Sequence, residues 1–505
     1  MTRRSAIIRM LSIVSLVLAS LCPVFGQDSS GVLKLTILHI NDPHAHYVPY
    51  QDREAPALIG GFAKASTVLE EVRAKSRAEG RETLFLFAGD LLTGTPYSMV
   101  FRGTLGVTLL NAMKLDAMTV GNHEFDYGRE NLLTNMKPLM KFPLLSANIR
   151  TSDDKSLFDG VLEKKFPGSP TRIMILGLTT QETPITTHPK NVKGLAFDDP
   201  IVTAKNLLKG ASDTDLVIAL THLGVEQDKK LAEACPRINA IIGGHSHTAL
   251  SKPIKVNDTV IAQAGAYARY LGKLDLDVKD GKIVRYSGEL IPLDAKVKED
   301  PQIAAIIDTH RQQMNSSLEK VIGKTEVFLE GSRFFVRSDR NTDLGRLIGY
   351  TLAQSEGADA AIMNGGGIRD SIKQGDITLG DVYTVLPFSG TVVSMKLTGE
   401  ELASVLQKSA ELPDGSGGKL QTYGIDYALE NGKVRILTVG GKTYEPGQTY
   451  SLATNDFLAA GGDGYSILKN NGKNCYSSGK LIADLLLGFI TEKQVITQQV
   501  LDDIK

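Results

Sequence analysis

Nine histidines stand in this 505-residue chain, and five of them fall in short motifs whose other polar residues are largely Asp or Asn. The motifs are Asn41-Asp42-Pro43-His44, Gly89-Asp90, Gly121-Asn122-His123-Glu124, Thr221-His222-Leu223-Gly224 and Gly243-Gly244-His245-Ser246-His247. Imidazole nitrogens beside carboxylate and amide oxygens suit zinc, manganese or iron, and match a calcium or Fe–S site poorly. Asp42, His44, Asp90, Asn122, His222, His245 and His247 make seven candidate ligands. That is too many for one four- or five-coordinate ion. It is the right number for two ions about 3.5–4 Å apart that share a carboxylate, as in two-metal hydrolytic sites. Singly each motif is weak: Gly-Asp is common in turns, and His-x-His is mostly surface or packing. Five in order, each after an apolar run, make the bland reading improbable. His39, His46, His188 and His310 are read as structural or exposed.

The elements that must position these residues alternate. Leu33 to Ile40, Thr83 to Ala88, Ala117 to Val120, Arg172 to Leu178, Asp215 to Leu220 and Ile238 to Ile242 are short runs rich in Val, Ile and Leu, as buried strands are. Phe62 to Glu79 has the period of an amphipathic helix, with Ala65, Val68, Leu69 and Val72 on one side. Helix-like segments separate the runs, so this half is α/β. Loops at strand ends converge at one edge of such a sheet, and a Gly beside a ligand permits close backbone approach. Alternation in Leu274 to Val278, a Lys279-Asp280-Gly281-Lys282 turn and Ile283 to Tyr286 predict a closing antiparallel hairpin. Asp300-Pro301 opens a polar helix expected through about Lys320, which serves as a linker. Thr398-Gly399-Glu400-Glu401 is a capping-box start, and Lys419 to Thr454 reads as a small sheet.

Composition sets the limits. The chain is too long for one ordinary domain. With 42% hydrophobic and 22% charged residues it can bury real cores. A formal charge of −1 gives no basic excess for nucleic acid or an acidic membrane. Arg3, Arg4 and Arg9 precede an apolar stretch from Met10 to Leu21, and Gly26 is a small residue at a plausible cleavage point. Residues 1–26 are therefore expected to be an export signal, too short in its apolar part to span a bilayer. Two variants stay open, a twin-arginine leader from Thr2-Arg3-Arg4 and a lipid anchor at Cys22. Beyond the leader only Cys235 and Cys475 are left, which allows an oxidising compartment without implying a disulfide. No later stretch is apolar enough to insert in a membrane, so a periplasmic or secreted protein is expected.

The five motifs together resemble the calcineurin-like metallophosphoesterase signature. The second half is similar to the C-terminal domain of bacterial and animal 5′-nucleotidases, through Asn364-Gly365-Gly366-Gly367-Ile368-Arg369, Leu386-Pro387-Phe388, Asn455-Asp456-Phe457 and Gly461-Gly462-Asp463-Gly464-Tyr465. Within that family the chain most resembles the periplasmic UDP-sugar hydrolase/5′-nucleotidase group. The resemblance implies a four-layer αββα sandwich in residues 27–299, a linker helix in 300–324 and a smaller α+β substrate-binding domain in 325–505. It assigns Asp42, His44, Asp90 and His247 to one divalent ion (Zn, Mn or Co) and Asp90, Asn122, His222 and His245 to the other. His123 then faces the phosphate, with Asp126 holding its ring. Asp126 as a helix N-cap is the competing reading. Phe388 and Phe457 would clamp the nucleobase, although two core residues are the plain alternative. Asp463 would bind ribose hydroxyls, and Arg369 and Asn364 phosphate or ribose. Arg333 and Arg337 resemble a further phosphate-binding pair. The segment after Arg337 is one residue longer than the family pattern, which makes Arg340 a rival. Gly390 replaces an Asn that some relatives carry near the base, leaving base preference open.

The activity implied is phosphate release from nucleoside 5′-monophosphates by a monomer, with nucleotide-sugar diphosphate hydrolysis as a second activity. A 2′,3′-cyclic nucleotide phosphodiesterase/3′-nucleotidase has nearly the same plan. From a different class, an inactive nucleotide-binding surface protein remains a rival, weakened by the completeness of the ligand set.

Overall fold

Leu33–Ile40 forms a strand over the whole predicted run, and its alternate side chains enter two different cores. Leu35 and Ile37 face one way, Leu38 and Ile40 the other, and all four are buried. That is why the run is continuously apolar rather than alternating. The computed structural model describes residues 31–50, 57–187, 189–314, 318–388 and 390–504. The expected leader, Cys22 and His188 lie outside them.

Two six-stranded sheets build the first unit. One runs Lys282–Pro292, Tyr270–Lys279, Leu33–Ile40, Glu82–Phe87, Ala117–Thr119, Leu144–Leu145. The other runs Ile254–Val256, Thr259–Ala262, Ala240–Ile242, Leu216–His222, Arg172–Thr179, Val161–Lys165. The last four strands of the first sheet are mutually parallel, as are four of the second. The sheets face each other through Leu35, Ile37, Leu84, Ile175, Ile218 and Leu274. Each such side chain, fully buried, contributes about 2 kcal/mol. Helix Phe62–Ala78 covers the outer face of the first sheet, and helices Pro200–Leu207 and Val225–Ala234 that of the second. The layers are α, β, β, α.

Helix Pro301–Met314 starts where Asp300-Pro301 predicted, with Asp300 Oδ1 accepting from the Gln302 and Ile303 amides. It is described to Met314, and Leu318 to Lys320 are no longer helical, so it does not reach the expected Lys320. Its Ile303 and Ile307 are buried in the core that includes the Phe62–Ala78 helix, so it belongs to the packing of the first unit. Val321–Thr325 is already a strand, paired with Gly375–Thr378 and Val495–Ile496 of the second unit. The polar flank Glu319-Lys320 hid that strand's start from the helical pattern.

The second unit is smaller. Its five-stranded sheet runs Leu420–Tyr423, Ala360–Asn364, Thr449–Asn455, Thr391–Thr398, Lys473–Leu481. Helices Asp343–Glu356 and Ile482–Lys493 cover one face and Gly399–Glu411 the other. The capping box at Thr398 is present, with Glu401 returning its side chain to the Thr398 amide. The expected small sheet from Lys419 to Thr454 divides: Ile425–Glu430, Lys433–Val439 and Lys442–Thr443 form it, while the flanking strands join the five-stranded sheet.

His39, on the first strand, lies opposite Gly272, where a Cβ would meet its ring at 2.2 Å. Its Nδ1 is buried and finds no partner among the described residues. Burial lowers its pKa from 6.5 to about 4. The folded state thus favours the neutral ring. Stability from this residue is complete above pH 6.5 and falls as pH drops toward 4, by about 3 kcal/mol in all. Urea unfolding at pH 7 and pH 4.5 checks it. His39→Phe is expected to lose most of that difference, and an unchanged difference contradicts the assignment.

Candidate active site

The candidate ligands stand at the C-terminal ends of the parallel strands, the edge where open α/β sheets carry their sites. Asp42 and His44 follow Leu33–Ile40, Asp90 follows Glu82–Phe87, and Asn122 follows Ala117–Thr119. His245 and His247 follow Ala240–Ile242. His222 differs slightly from expectation, being the last residue of its strand. Two glycines show how tightly the loops meet. A Cβ on Gly121 would lie 2.3 Å from Asp90 Oδ1, and one on Gly244 would lie 2.3 Å from the Ala88 carbonyl oxygen. Asp42, His44, Asp90, His245 and His247 all have positive φ, between 47° and 78°. Non-glycine residues hold that conformation at a cost, and such strain gathers at functional sites.

Three groups of potential ligand atoms result, each within 4.8 Å: Asp42–His44–His247, His44–Asp90–His123 and Asp90–His222–His245. His222 Nε2 lies 3.1 Å from Asp90 Oδ2 and 3.2 Å from Asn122 Oδ1, and His245 Nδ1 lies 3.0 Å from the same amide oxygen. His44 Nδ1 donates to the Leu92 carbonyl at 3.0 Å and His222 Nδ1 to the Ala88 carbonyl at 2.7 Å. These bonds occupy both Nδ1 atoms and turn both Nε2 atoms inward, as metal-ligating histidines require. Burial opposes a charge on His222, yet Asp90 and Asp42 raise its pKa to about 10. The site demands positive charge, and its donor set fits divalent metal.

His247 carries a further constraint. Arg333 Nη1 approaches its Nδ1 at 2.9 Å, and a guanidinium can only donate. Nε2 therefore holds the proton and points at His44 Nε2, 3.0 Å away. Ligation through His247 Nε2 competes with the Arg333 contact.

His123 lies beside the ligands without duplicating their role. Its Nδ1 is 2.6 Å from Asp126 Oδ2, and its amide donates to Asp90 Oδ1 at 3.0 Å. Asp126 is the N-cap of no helix among the described residues; it follows the short 3-10 turn His123–Phe125. Its carboxylate accepts instead from Thr93 and Thr187 hydroxyls. Burial would lower the His123 pKa, but Asp126 and Asp90 raise it overall. The imidazole keeps a proton on Nδ1 and is disposed to hold a second.

A cavity of about 680 Å³ opens between the two units, lined by Asp90, Asn122, His123, His245 and His247 from the first. The second unit contributes every predicted substrate residue: Arg333, Arg337, Asn364, Arg369, Phe388, Phe457 and Asp463. Phe388 and Phe457 are half-buried rather than core, and the Phe388 ring centroid lies 6.2 Å from that of His123. Asn364 Nδ2 donates to Asp463 Oδ2 at 2.9 Å, and Asn455 Nδ2 to Asn364 Oδ1 at 2.8 Å. Arg340 is exposed and does not line the cavity, whereas Arg337 does. Gly390 also lines it.

Arg337 is 8% exposed, and its buried Nε has no protein partner among the described residues. Arg369 Nη2 is in the same position. Burial, then Arg333 and Arg369, push the Arg337 pKa down to about 9. Converging, under-satisfied guanidinium groups are chemically suited to a multiply charged anion. Arg337→Met should raise the KM for a phosphorylated substrate roughly 10–100-fold and leave the protein about 1 kcal/mol more stable, because it removes an uncompensated buried cation. Steady-state kinetics with urea unfolding tests both, and a variant with unchanged KM contradicts the assignment.

Sequence reasoning passed over the residues that shape the loops. Glu124, fully buried, accepts from the Asp90, Leu91 and Gly121 amides at 2.9, 2.7 and 2.6 Å, tying two ligand loops together. Asn41 bonds Asp42 Oδ2 and the backbone of Ala264 and Gly265. Glu124 was visible inside its motif, but nothing in the sequence said that its oxygens face backbone.

Comparison with known proteins agrees with this geometry. The calcineurin-like phosphoesterase model matches residues 35–249, and the 5′-nucleotidase C-terminal domain model matches residues 321–470. The chain belongs to the 5′-nucleotidase family, in which a metallophosphoesterase unit precedes that C-terminal domain. It is 31% identical to a 5′-nucleotidase of Vibrio vulnificus, over 92% of this chain and 91% of that one. It is also 31% identical to the protein UshA of Escherichia coli, over 92% of each. The crystal structure of a 5′-nucleotidase precursor from Thermus thermophilus superposes with a TM-score of 0.81 at 30% identity, covering 92% of this chain and 97% of that one.

Proposed function

We propose that this protein hydrolyses nucleoside 5′-monophosphates to nucleoside and phosphate, and also cleaves the diphosphate bond of nucleotide sugars. The observation that carries the reading is one cavity lined by members of all three metal-ligand groups, the part-buried His123–Asp126 pair and three arginines. Residues 27–299 carry the chemistry and the C-terminal part the substrate, with the family relatives supporting that division. Among the described residues no helix is long and apolar enough to cross a membrane. With its leader, the chain is read as an exported, periplasmic or secreted monomer acting on free nucleotides rather than on nucleic acid.

Asp42, His44, Asp90 and His247 would hold one divalent ion, and Asp90, Asn122, His222 and His245 a second, Zn, Mn or Co in each case. Ions so held supply an activated water and polarise the phosphoryl oxygens. The rest falls to the side chains. Arg333, Arg337 and Arg369 fix the phosphate against the first unit, and Asn364 and Asp463 take the ribose hydroxyls. Phe388 and Phe457 hold the base by stacking, which tolerates different bases. The Asp126 bond keeps His123 Nδ1 protonated, so Nε2 is the atom left to serve the transferring phosphoryl group. A proton on Nε2 stabilises its developing charge and can pass to the leaving 5′-oxygen.

Chromatography of products tests the substrate class. Adenosine and phosphate are expected from AMP, and UMP, uridine and glucose 1-phosphate from UDP-glucose. Turnover of a 2′,3′-cyclic nucleotide alone would replace this reading.

A further inference from the structure

The segment 263–269 holds none of the metal-ligand atoms, yet it carries the chain from the second sheet back to the first. It leaves strand Thr259–Ala262 of the second sheet and enters strand Tyr270–Lys279 of the first. The ligand loops of both sheets are bonded to its first residues. Gln263 is fully buried. Its Oε1 accepts from the Ser246 hydroxyl and the Thr248 amide, both at 2.8 Å, and its Nε2 donates to the Gly244 carbonyl at 2.7 Å. Those partners alternate with His245 and His247. The Gly244 carbonyl also accepts from the Gly224 amide, two residues after His222, and the Ser246 hydroxyl accepts from the Val225 amide. On the other side the Ala264 amide and Gly265 carbonyl bond the Asn41 side chain, and the Tyr267 amide donates to the Asp42 carbonyl.

We propose that Gln263 is a positioning residue for the metal centre, the polar template that sets His245 and His247 in register with Asp42 across the two sheets. Three features favour this over a merely structural role. Every polar atom of the amide is engaged, and each bond goes to the loop of two ligands. That loop also needs help to keep its shape. His245 and His247 have φ of 78° and 58°, left-handed conformations that a residue with a Cβ holds only at a cost. The Asp42 carboxylate, fixed by Asn41, takes the His245 amide at 2.9 Å, so the two halves of the template meet at the ligands themselves.

The inference rests on the reading of these side chains as metal ligands. The test is metal affinity, measured by competition of full-length protein with a chromophoric chelator for Mn²⁺ and Zn²⁺, alongside the melting temperature of the chelator-stripped protein. Gln263→Leu is expected to bind at least one ion 10–100-fold more weakly, the usual effect of losing a partner behind a ligand. Val405→Ala, a core change in the second unit, controls for general destabilisation and should melt earlier with wild-type metal affinity. Should Gln263→Leu fail to fold, Gln263→Glu keeps the acceptor oxygen but faces the Gly244 carbonyl with another acceptor. It should show the same weakening. Wild-type affinity in a folded Gln263 variant overturns the proposal and leaves the metal reading intact. Absence of metal binding by the wild type overturns both.

Discussion

Asp90→Asn is expected to lower phosphate release from AMP about a thousand-fold or more and to reduce bound metal below the wild-type count. Asp90 is the carboxylate shared by two of the three ligand groups, as His44 is the imidazole. Its Oδ2 lies 3.1 Å from His222 Nε2 and 3.8 Å from His44 Nε2, between the two halves of the site. Burial would raise its pKa, but His222, His123 and His44 hold it well below the ordinary carboxylate range, so it is ionised. Asn keeps an oxygen for the His123 amide and preserves the shape of the loop. What it removes is the charge that both cations would share, and Lewis-acid stabilisation of several kcal/mol goes with it. Metal analysis on the same sample is the check. An Asp90→Asn protein with full metal content and near-normal turnover would show that this carboxylate bridges nothing.

His123→Ala is the second large effect, and it separates cleanly from the first. The expected loss is in kcat, 10²- to 10⁴-fold, the usual range for a general acid. Metal content should stay at the wild-type value, because the His123 contact to Asp90 in that loop is made through its backbone amide. Asp126→Asn should act in the same direction by releasing the ring that its 2.6 Å bond orients. Loss of metal in His123→Ala would reassign the imidazole as a ligand, an option its place in the His44–Asp90–His123 group keeps physical.

Much of this site could be read from residue types because strand ends advertise themselves. A buried strand is mostly apolar, so Asp, Asn or His within a few residues of its end stand out, and a nearby Gly marks close approach. Asp42, Asp90, Asn122 and His245 are all found that way. Which sheet a strand joins is a different matter. Leu33–Ile40 and Arg172–Thr179 are equally apolar, and only hydrogen-bond register divides them between sheets. Tertiary pairing also started a strand at Val321, where the polar pattern had read helix to about Lys320. Glu124, Asn41 and Gln263 escaped because a polar side chain that bonds backbone leaves no periodicity. Arg337 and Arg340 were indistinguishable by type, and burial in the cavity separates them.

The proposed activity is metal-dependent hydrolysis of a nucleotide at the junction of the two units. Its most direct test is phosphate release from AMP by protein whose metal is counted, stripped with chelator and restored with Mn²⁺, Co²⁺ or Zn²⁺. Two ions per chain are expected, with activity lost on stripping and recovered on reloading. Undiminished release by metal-free protein, or no release from any nucleotide with two ions bound, would contradict it.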